Sequence, residues 1–170
     1  MNISLNLNPE TWQAVNDGVM GGVSTGRMVQ AENFLRFEGE ISLENNGGFA
    51  SVRHLVGQDL SPAKVVRLAL RGDGRSYQFR IRLDGHLDGV AWRAEFDTTG
   101  EWQTVELSLD EFVPVFRGRQ VIGAGPVVPA NIIQVGFMLA DKKSGTFALE
   151  IKSIEFMETS TAWQFPVEQG

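Results

Sequence analysis

The sequence predicts an all-β fold, a β-sandwich or jelly roll of two antiparallel sheets with little helix. Three observations support this prediction. Apolar and polar side chains alternate with a period of two in seven short segments, as expected for half-buried strands. Asp-Gly and Asn-Gly pairs, which tolerate the positive φ of tight turns, recur between these segments. No window of ten or more residues sustains the i, i+3, i+4, i+7 spacing of an amphipathic helix.

The predicted strands alternate with different regularity along the chain. They cover residues 36–43, 66–70, 76–83, 91–98, 103–109, 133–139 and 147–156. The most regular is SYQFRIRL, in which Tyr77, Phe79 and Ile81 face one way and the glutamine and arginines between them face the other. Trp102 falls on the opposite parity to the apolar residues that follow it, so it is predicted to lie apart from the core.

Two irregularities interrupt the predicted strands. The apolar parity changes between Ile151 and Ile154, which predicts a β-bulge at that point. The strongest helical prediction is a single turn over residues 109–112, with Ser108 as its cap and Pro114 ending it. Both features are local, so neither changes the predicted fold class.

Length and composition limit the classes of protein to which the chain belongs. Its 170 residues predict one domain over residues 1–170, with a C-terminal extension at 158–170 where the periodicity is lost. The chain has no cysteine, so disulfides, thiol nucleophiles and cysteine-based zinc sites are excluded. A net charge of −6 and a pI near 4.9 argue against a nucleic-acid partner, because domains that bind nucleic acids usually carry a basic patch.

The N-terminal residues MNISLNLNPETW contain neither a basic region nor a long apolar core, so no signal peptide is predicted. No apolar run approaches the ~18 residues that a membrane-spanning helix needs. We therefore expect a cytoplasmic protein with no transmembrane segment.

The stretch VNDGVMGGVSTG contains the pattern G-x-S-x-G around Ser24. In hydrolases this pattern places a nucleophilic serine at a strand-to-helix turn, with a histidine and an acid later in the chain. No helix is predicted after Ser24, and the two histidines, His54 and His86, lie at a strand end and in a turn. We therefore interpret the stretch as a glycine-rich corner beside the loop at 46–48, with Asp17 and Ser24 hydrogen-bonded to backbone.

Aspartates in or beside the predicted loops raise the question of calcium, which takes several oxygen ligands from such positions. The candidate ligands are Asp17, Asp73 and Asp141. None has the spacing of a calcium-binding loop, and Asp-Gly is also a common plain turn. A structural calcium is the one cofactor that the sequence leaves open, and no other cofactor is predicted.

The predicted strands 76–83 and 91–98 form a hairpin. A register centred on the 84–90 loop gives the opposite pairs Gln78–Asp97, Arg80–Glu95 and Arg82–Arg93. Two interpretations stay open: charge pairing on a solvated face, worth about 0.2–1 kcal/mol per pair, or a concave face of arginines and acids that binds a polyhydroxyl or anionic ligand. A glycosidase pair of Glu95 and Glu106 is a further alternative, since the sequence does not fix their separation.

Five segments follow one another in an order that resembles a known family. They are WQAVNDGVMGGVSTG, FEGEISLENNGGFASVR, GDGRSYQFRIR, WQTVELSLDEFVPVFRGR and IIQVGFMLADKKSGTFALEI. Over about residues 10–157 the chain resembles the family of mitochondrial complex I intermediate-associated protein 30, a domain that also occurs in bacteria. The resemblance implies a galactose-binding-like β-sandwich akin to carbohydrate-binding modules. In eukaryotic members it implies a role in assembling respiratory NADH dehydrogenase by protein–protein contact. Because no presequence is seen, we expect a bacterial-type member.

The resemblance also selects positions in this chain. The matching residues are Asn16, Asp17, Gly18, Met20, Gly21, Gly22, Ser24, Asn46, Gly47, Gly48, Phe49, Arg53, Asp73, Gly74, Tyr77, Phe116, Arg117, Gly118 and Asp141. No catalytic residue is established for the family, so none is transferred and no enzyme is predicted.

Three hypotheses for the function follow. The first is a non-catalytic binding or assembly module whose partners are proteins, such as respiratory complex subunits or assembly factors. The second is a module that binds a carbohydrate or another small polar ligand on the concave sheet face. The third, an enzyme, is disfavoured because no paired histidine or cysteine centre is found. The predicted residues for binding a ligand or partner are Asp17, Ser24, Asn46, Arg53, Arg80, Arg82, Glu95, Trp102 and Arg117.

Overall fold

A computed structural model describes residues 2–84 and 89–159, with the backbone only at Val19, Met20 and Asn46. The strands in chain order are β1 (Asn2–Ser4), β2 (Trp12–Ala14), β3 (Thr25–Gln30), β4 (Leu35–Ile41), β5 (Ala50–Leu55), β6 (Val65–Arg71), β7 (Ser76–Arg82), β8 (Ala91–Asp97), β9 (Trp102–Ser108), β10 (Val113–Phe116), β11 (Arg119–Gln120), β12 (Gln134–Leu139) and β13 (Gly145–Met157). The helical turns are single 3-10 turns at Pro9–Thr11, Asp17–Met20, Glu44–Asn46, Leu109–Glu111 and Pro129–Asn131. No α-helix occurs in the described residues.

The strands form two antiparallel sheets. Sheet A has the order β3-β4-β13-β6-β9, and β1 also pairs with β13. Sheet B has the order β11-β10-β8-β7-β12-β5-β2. The predicted all-β sandwich is confirmed. None of the described helical turns has the length or the apolarity of a membrane-spanning segment.

Aromatic side chains from both sheets meet in the core. In sheet A the rings of Phe37 and Phe147 pack edge to face at 4.9 Å, and in sheet B those of Phe79 and Phe137 do so at 5.2 Å. Tyr77 joins the two layers, because its ring lies 6.4 Å from that of Phe37. All five side chains are buried, so the alternation in the sequence reports the inward face of each sheet correctly.

The two predicted irregularities are both present. The pairing of β13 with β6 shifts register between Ile151 and Ser153, which confirms the β-bulge. The helical turn occupies Leu109–Glu111, but the side chain of Ser108 makes no capping hydrogen bond. Ser108 therefore occupies the predicted N-cap position, with the extended conformation usual there (φ −68°, ψ 134°), but its side chain does not cap the turn.

The predicted register of the β7–β8 hairpin is also wrong. Gln78 lies opposite Glu95, Arg80 lies opposite Arg93, and Asp97 pairs with Ser76. The register is therefore shifted by two residues from the one centred on the loop. A shift of two keeps every side chain on the same face of the sheet, so hydrophobic alternation cannot distinguish the two registers.

Candidate functional site

The glycine-rich corner folds around the carboxylate of Asp17, which is 1% exposed. Its Oδ1 accepts a hydrogen bond from the backbone N–H of Ser24 at 2.9 Å, and its Oδ2 accepts from Gly48 at 2.6 Å and Phe49 at 3.2 Å. Burial alone would raise the pKa of Asp17, but these hydrogen bonds outweigh burial and hold the pKa below its usual value. The structure thus contains the close approach to residues 46–48 that the sequence predicts.

Two glycines allow the backbone to reach this carboxylate. A Cβ at Gly22 would lie 2.4 Å from Cγ of Asp17, and one at Gly47 would lie 2.6 Å from its Oδ2. The hydroxyl of Ser24 is also hydrogen-bonded within the protein, because it donates to the carbonyl of Ser42 at 3.1 Å and accepts from the Ser42 N–H at 2.9 Å. Strand β3 follows Ser24, so the serine does not stand at a strand-to-helix turn. The corner is a structural element built on internal hydrogen bonds.

The remaining calcium candidates also accept hydrogen bonds from the protein. Asp73 accepts from the hydroxyl of Tyr77 at 3.0 Å and from the N–H of Ala148 at 2.9 Å. Both oxygens of Asp141 accept from the guanidinium of Arg75, at 2.7 and 2.8 Å. Within the part of the chain that the structure describes, no three acidic or histidine side chains converge as metal ligands would. The calcium prediction therefore has no ligand cluster to support it there.

The outward face of sheet B brings several predicted binding residues together. In successive strands, Arg93 of β8, Arg80 of β7, Gly136 of β12 and Arg53 of β5 occupy one row across the sheet. Arg82 lies on the same face of β7, two residues after Arg80. We call the surface formed by Arg53, Arg80, Arg82 and Arg93 the arginine face. It concentrates positive charge on one side of a protein whose net charge is −6.

A shallow cleft lies in the arginine face between β5, β7 and β12. The space in it that a water-sized sphere can occupy is only about 10 Å³, and the total empty space is about 240 Å³ when space open to solvent is included. Its polar and glycine lining consists of Ser51, Arg53, Arg80, Arg82, Gln134 and Gly136. A Cβ at Gly136 would lie 2.5 Å from the carbonyl oxygen of Val52, so the row of arginines is interrupted by a position that accepts no side chain.

The arginines of this face differ in their surroundings. Arg82 is 6% exposed and donates to the carbonyl of Gly89 at 2.8 Å, while Arg93 forms an ion pair with Glu95 at 2.7 Å. Arg80 donates to Oε1 of Gln78 at 2.8 Å and to Sδ of Met138 at 3.4 Å. Burial, together with the positive charges of Arg82, Arg53 and Arg93, lowers the pKa of Arg80 to about 10.

The arginine face carries no aromatic side chain on the strands that form it. Its outward positions on β2, β5, β12, β7 and β8, all fully described, are polar, charged, glycine or aliphatic. Tyr77 and Trp92 point to the opposite side and are buried. Because binding of neutral sugars by such surfaces relies on exposed rings as stacking platforms, this face is chemically suited to anions.

Trp102 lies on the other sheet, in β9, and is 39% exposed. Its ring packs edge to face against Phe34 at 5.2 Å and has the guanidinium of Arg71 at 4.8 Å and the ammonium of Lys152 at 5.2 Å above it. These cation–π contacts occupy the ring with partners from the protein. Trp102 is thus set apart from the core, as predicted, but it is not part of the arginine face.

The structure separates other predicted site residues as well. Arg117 has φ 51° and lies over the ring of Phe116 at the turn between β10 and β11. Strands β8, β7 and β12 separate that edge from Arg53, so these two predicted binding residues do not lie side by side. The side chain of Asn46 lies outside the described residues, so its predicted role stays a prediction.

Three further positions complete this account. His54 stacks on Trp12 at 5.0 Å and bonds Thr11 through Nδ1, whereas His86 lies outside the described residues. Glu95 and Glu106 belong to strands of different sheets, so they do not form the glycosidase pair that the sequence left open. Sequence reasoning missed Gly136 as a site position, although a glycine inside a regular strand is a recognised sign of close approach.

Comparisons with known proteins agree on one family. The family model described as Complex I intermediate-associated protein 30 matches residues 3–151. The chain is 25% identical over 141 residues to the mitochondrial complex I intermediate-associated protein 30 of Neurospora crassa, covering 72% of this chain and 51% of that one. It is 34% identical over 101 residues to the Mus musculus protein of the same name, covering 56% and 31%. The chain thus spans about half of the length of the Neurospora crassa relative and about a third of the length of the Mus musculus relative.

Solved structures match the fold over nearly its whole length. A family 11 carbohydrate-binding module from Clostridium thermocellum, in complex with a β-1,3-1,4-mixed-linked tetrasaccharide, superposes with a TM-score of 0.70 at 19% identity and covers 93% of this chain and 96% of that one. A family 30 carbohydrate-binding module of a cellulosomal cellulase from the same organism superposes with a TM-score of 0.62 at 13% identity, covering 95% and 99%. At these identities the likeness concerns the fold alone.

Proposed function

Because the chain belongs to the complex I intermediate-associated protein 30 family, we propose that it is a non-catalytic binding module that acts by contact with a protein partner in the assembly of respiratory complex I. Family membership supports this proposal, since the matched residues 3–151 include both sheets. The names of the curated relatives from Neurospora crassa and Mus musculus point in the same direction.

The side chains that could carry chemistry are engaged in the fold, which supports a non-catalytic role. The hydroxyl of Ser24 bonds the backbone of Ser42, and Asp17 accepts three backbone hydrogen bonds. The ring of His54 bonds Thr11. Nucleophilic catalysis needs a nucleophile and a base within hydrogen-bond reach of each other. Thr11 and His54 are residues of these two types, and Oγ1 of Thr11 lies 2.9 Å from Nδ1 of His54. The Thr11 hydroxyl, however, donates its proton to the carbonyl of Asn8 at 2.8 Å, so Nδ1 of His54 is the donor in this contact and not a base.

The observation that carries the proposal is the arginine face. Four arginines on one side of a sheet form a positive surface on an acidic protein, and electrostatic complementarity of this kind steers association with an oppositely charged partner. The face lies on rigid strands, so its side chains are presented without a large ordering cost. We assign the partner contact to this surface.

The proposal is tested by affinity capture from a lysate of the source cells, with bound proteins identified by mass spectrometry. We expect the wild-type protein to capture respiratory complex I subunits or their assembly factors. The double variant Arg53→Gln/Arg80→Gln is expected to lose most of this capture, because it removes two charges of the arginine face. The control Arg27→Gln removes one exposed charge from sheet A and is expected to retain capture. Failure of the wild-type protein to capture complex I proteins contradicts the proposal.

A second candidate function is the binding of a carbohydrate or another small polar ligand in the cleft of the same face. The observation that favours it is the cleft itself, which has Ser51 and Gln134 beside its arginines. A ligand that binds the native state raises the melting temperature. A thermal-shift screen against oligosaccharides that carry carboxylate or sulfate groups therefore tests this candidate: a dose-dependent rise in melting temperature that is lost in Arg80→Gln supports it, and no rise argues against it.

The compartment stays a prediction. The sequence predicts the cytoplasm, whereas the curated relatives from Neurospora crassa and Mus musculus are named as mitochondrial. Fractionation of the source cells, followed by detection with an antibody against this chain, distinguishes the two locations.

A further inference from the structure

We propose that the cleft of the arginine face receives a carboxylate, supplied by an acidic side chain on the protein partner. This inference rests on the proposed function and names the chemistry of the group that the partner presents. Arg80 is the central recognition residue, with Arg53 across the gap at Gly136 as its neighbour.

The first argument is the charge balance of Arg80. Six other arginines of the described strands and loops form ion pairs with carboxylates: Arg27, Arg36, Arg67, Arg71, Arg75 and Arg93. Arg80 differs from them, because its described hydrogen bonds go to the neutral side chains of Gln78 and Met138. No carboxylate among the described residues forms an ion pair with it.

The second argument is the cost of leaving this charge in place. Arg80 is partly buried beside three like charges, and these neighbours together with burial lower its pKa to about 10. The guanidinium is therefore still protonated at neutral pH, in surroundings that disfavour its positive charge. A carboxylate in the cleft would compensate that charge and form charge-assisted hydrogen bonds, which are about twice as strong as neutral ones.

The third argument is the shape and lining of the cleft. Between Arg80 and Arg53 the row holds only Gly136, which has no side chain, and the cleft there has room for about one water molecule, too little for a chain of sugar rings. The strands of the face present no aromatic ring on which a sugar could stack. These two features favour an acidic protein segment over an acidic oligosaccharide.

The test is a titration of the full chain with a short fluorescent glutamate-rich peptide, followed by anisotropy at low and high salt. We expect binding that weakens as salt rises. Arg80→Gln is expected to weaken it by about tenfold or more, because a charge-assisted contact is lost. The control Arg27→Gln is expected to change it by less than about twofold, as an exposed surface charge would. Equal weakening by the two variants overturns the inference.

A second series replaces the peptide by galacturonate oligosaccharide, which carries the same carboxylate on a sugar. Binding of the oligosaccharide without binding of the peptide overturns the inference in favour of an acidic carbohydrate. The melting temperature of Arg80→Gln separates recognition from folding. We expect it to equal or exceed that of the wild-type protein, because an uncompensated charge is removed. A clear decrease would identify Arg80 as a structural residue and would also overturn the inference.

These outcomes distinguish the inference from the proposed function. If the peptide binds as expected but the lysate yields no complex I protein, the function is wrong and the carboxylate site stands. If complex I proteins are captured equally by the wild-type protein and Arg80→Gln, the function stands and the carboxylate site is wrong.

Discussion

Replacing Arg75 by methionine is expected to lower the free energy of unfolding by about 3–5 kcal/mol, the range observed when one partner of a buried ion pair is removed. The guanidinium of Arg75 donates to both oxygens of Asp141 and to the carbonyls of Lys143, Gly145 and Thr146. The side chains of the pair are 12% and 9% exposed, respectively. Methionine fills a similar volume but leaves the carboxylate of Asp141 without its counter-charge. The expected loss of stability therefore comes from the unpaired charge of Asp141 and not from a cavity.

The measurement is urea denaturation of the wild-type protein and Arg75→Met at neutral pH. Arg27→Met provides the matched control, because the side chain of Arg27 is 71% exposed and forms an ion pair with Glu38 at 2.8 Å. An exposed pair contributes about 0–1 kcal/mol, so the control is expected to change the free energy of unfolding by no more than that. Similar losses of unfolding free energy in the two variants would show that the Arg75–Asp141 pair does not stabilise the contact between the turn before β7 and the loop between β12 and β13.

Replacing Asp17 by asparagine is expected to lower the free energy of unfolding by about 2–4 kcal/mol, because hydrogen bonds to a buried charged acceptor contribute about 1.5–3 kcal/mol each and one acceptor becomes a donor. The new amide N–H₂ would face one of the backbone N–H groups that now bond the carboxylate, from Ser24 or from Gly48 and Phe49. The glycines at 22 and 47 leave little space in which the side chain could rotate away.

The dependence of this loss on pH gives a second test. The pKa of Asp17 is lower in the folded protein than its usual value of 3.8, so its carboxylate stabilises the fold above about pH 3.8. That contribution decreases as the pH falls through the folded-state pKa, and the difference between wild type and Asp17→Asn should narrow in the same range. Asp110→Asn, at an exposed position, is the control and is expected to show little effect. A difference that stays constant down to acidic pH would contradict the assigned role.

The inward face of each of the seven predicted strands could be read from the sequence, because that face is set by the period-two alternation and by burial. Tyr77, Phe79 and Ile81 all lie in the core, and the change in parity after Ile151 marks the bulge. The other six strands are not predicted. Strands β1, β2 and β11 have only three, three and two residues, too few to show a period. Strands β3, β5 and β10 lack a regular alternation of apolar and polar residues.

The site required knowledge of the strand order, which alternation does not contain. Arg80 and Arg82 lie on one predicted strand, so their common face follows from the sequence. Arg53 joins them only because β12 inserts between β5 and β7, which are far from β12 along the chain. Pairings of this kind are set by the packing of the whole sandwich, and no local pattern around Arg53 or Gly136 reports them.

An interior strand of each sheet comes from the last part of the chain that the structure describes. Strand β13 lies between β4 and β6, and β12 lies between β7 and β5. A nascent chain on the ribosome therefore carries β4, β5, β6 and β7 with one edge of each unpaired until residues 134–157 have left the exit tunnel. A premature stop before those residues would remove β12 from sheet B and β13 from sheet A and so divide each sheet into two parts. The open strand edges would then be prone to aggregation, and no smaller folded unit would result.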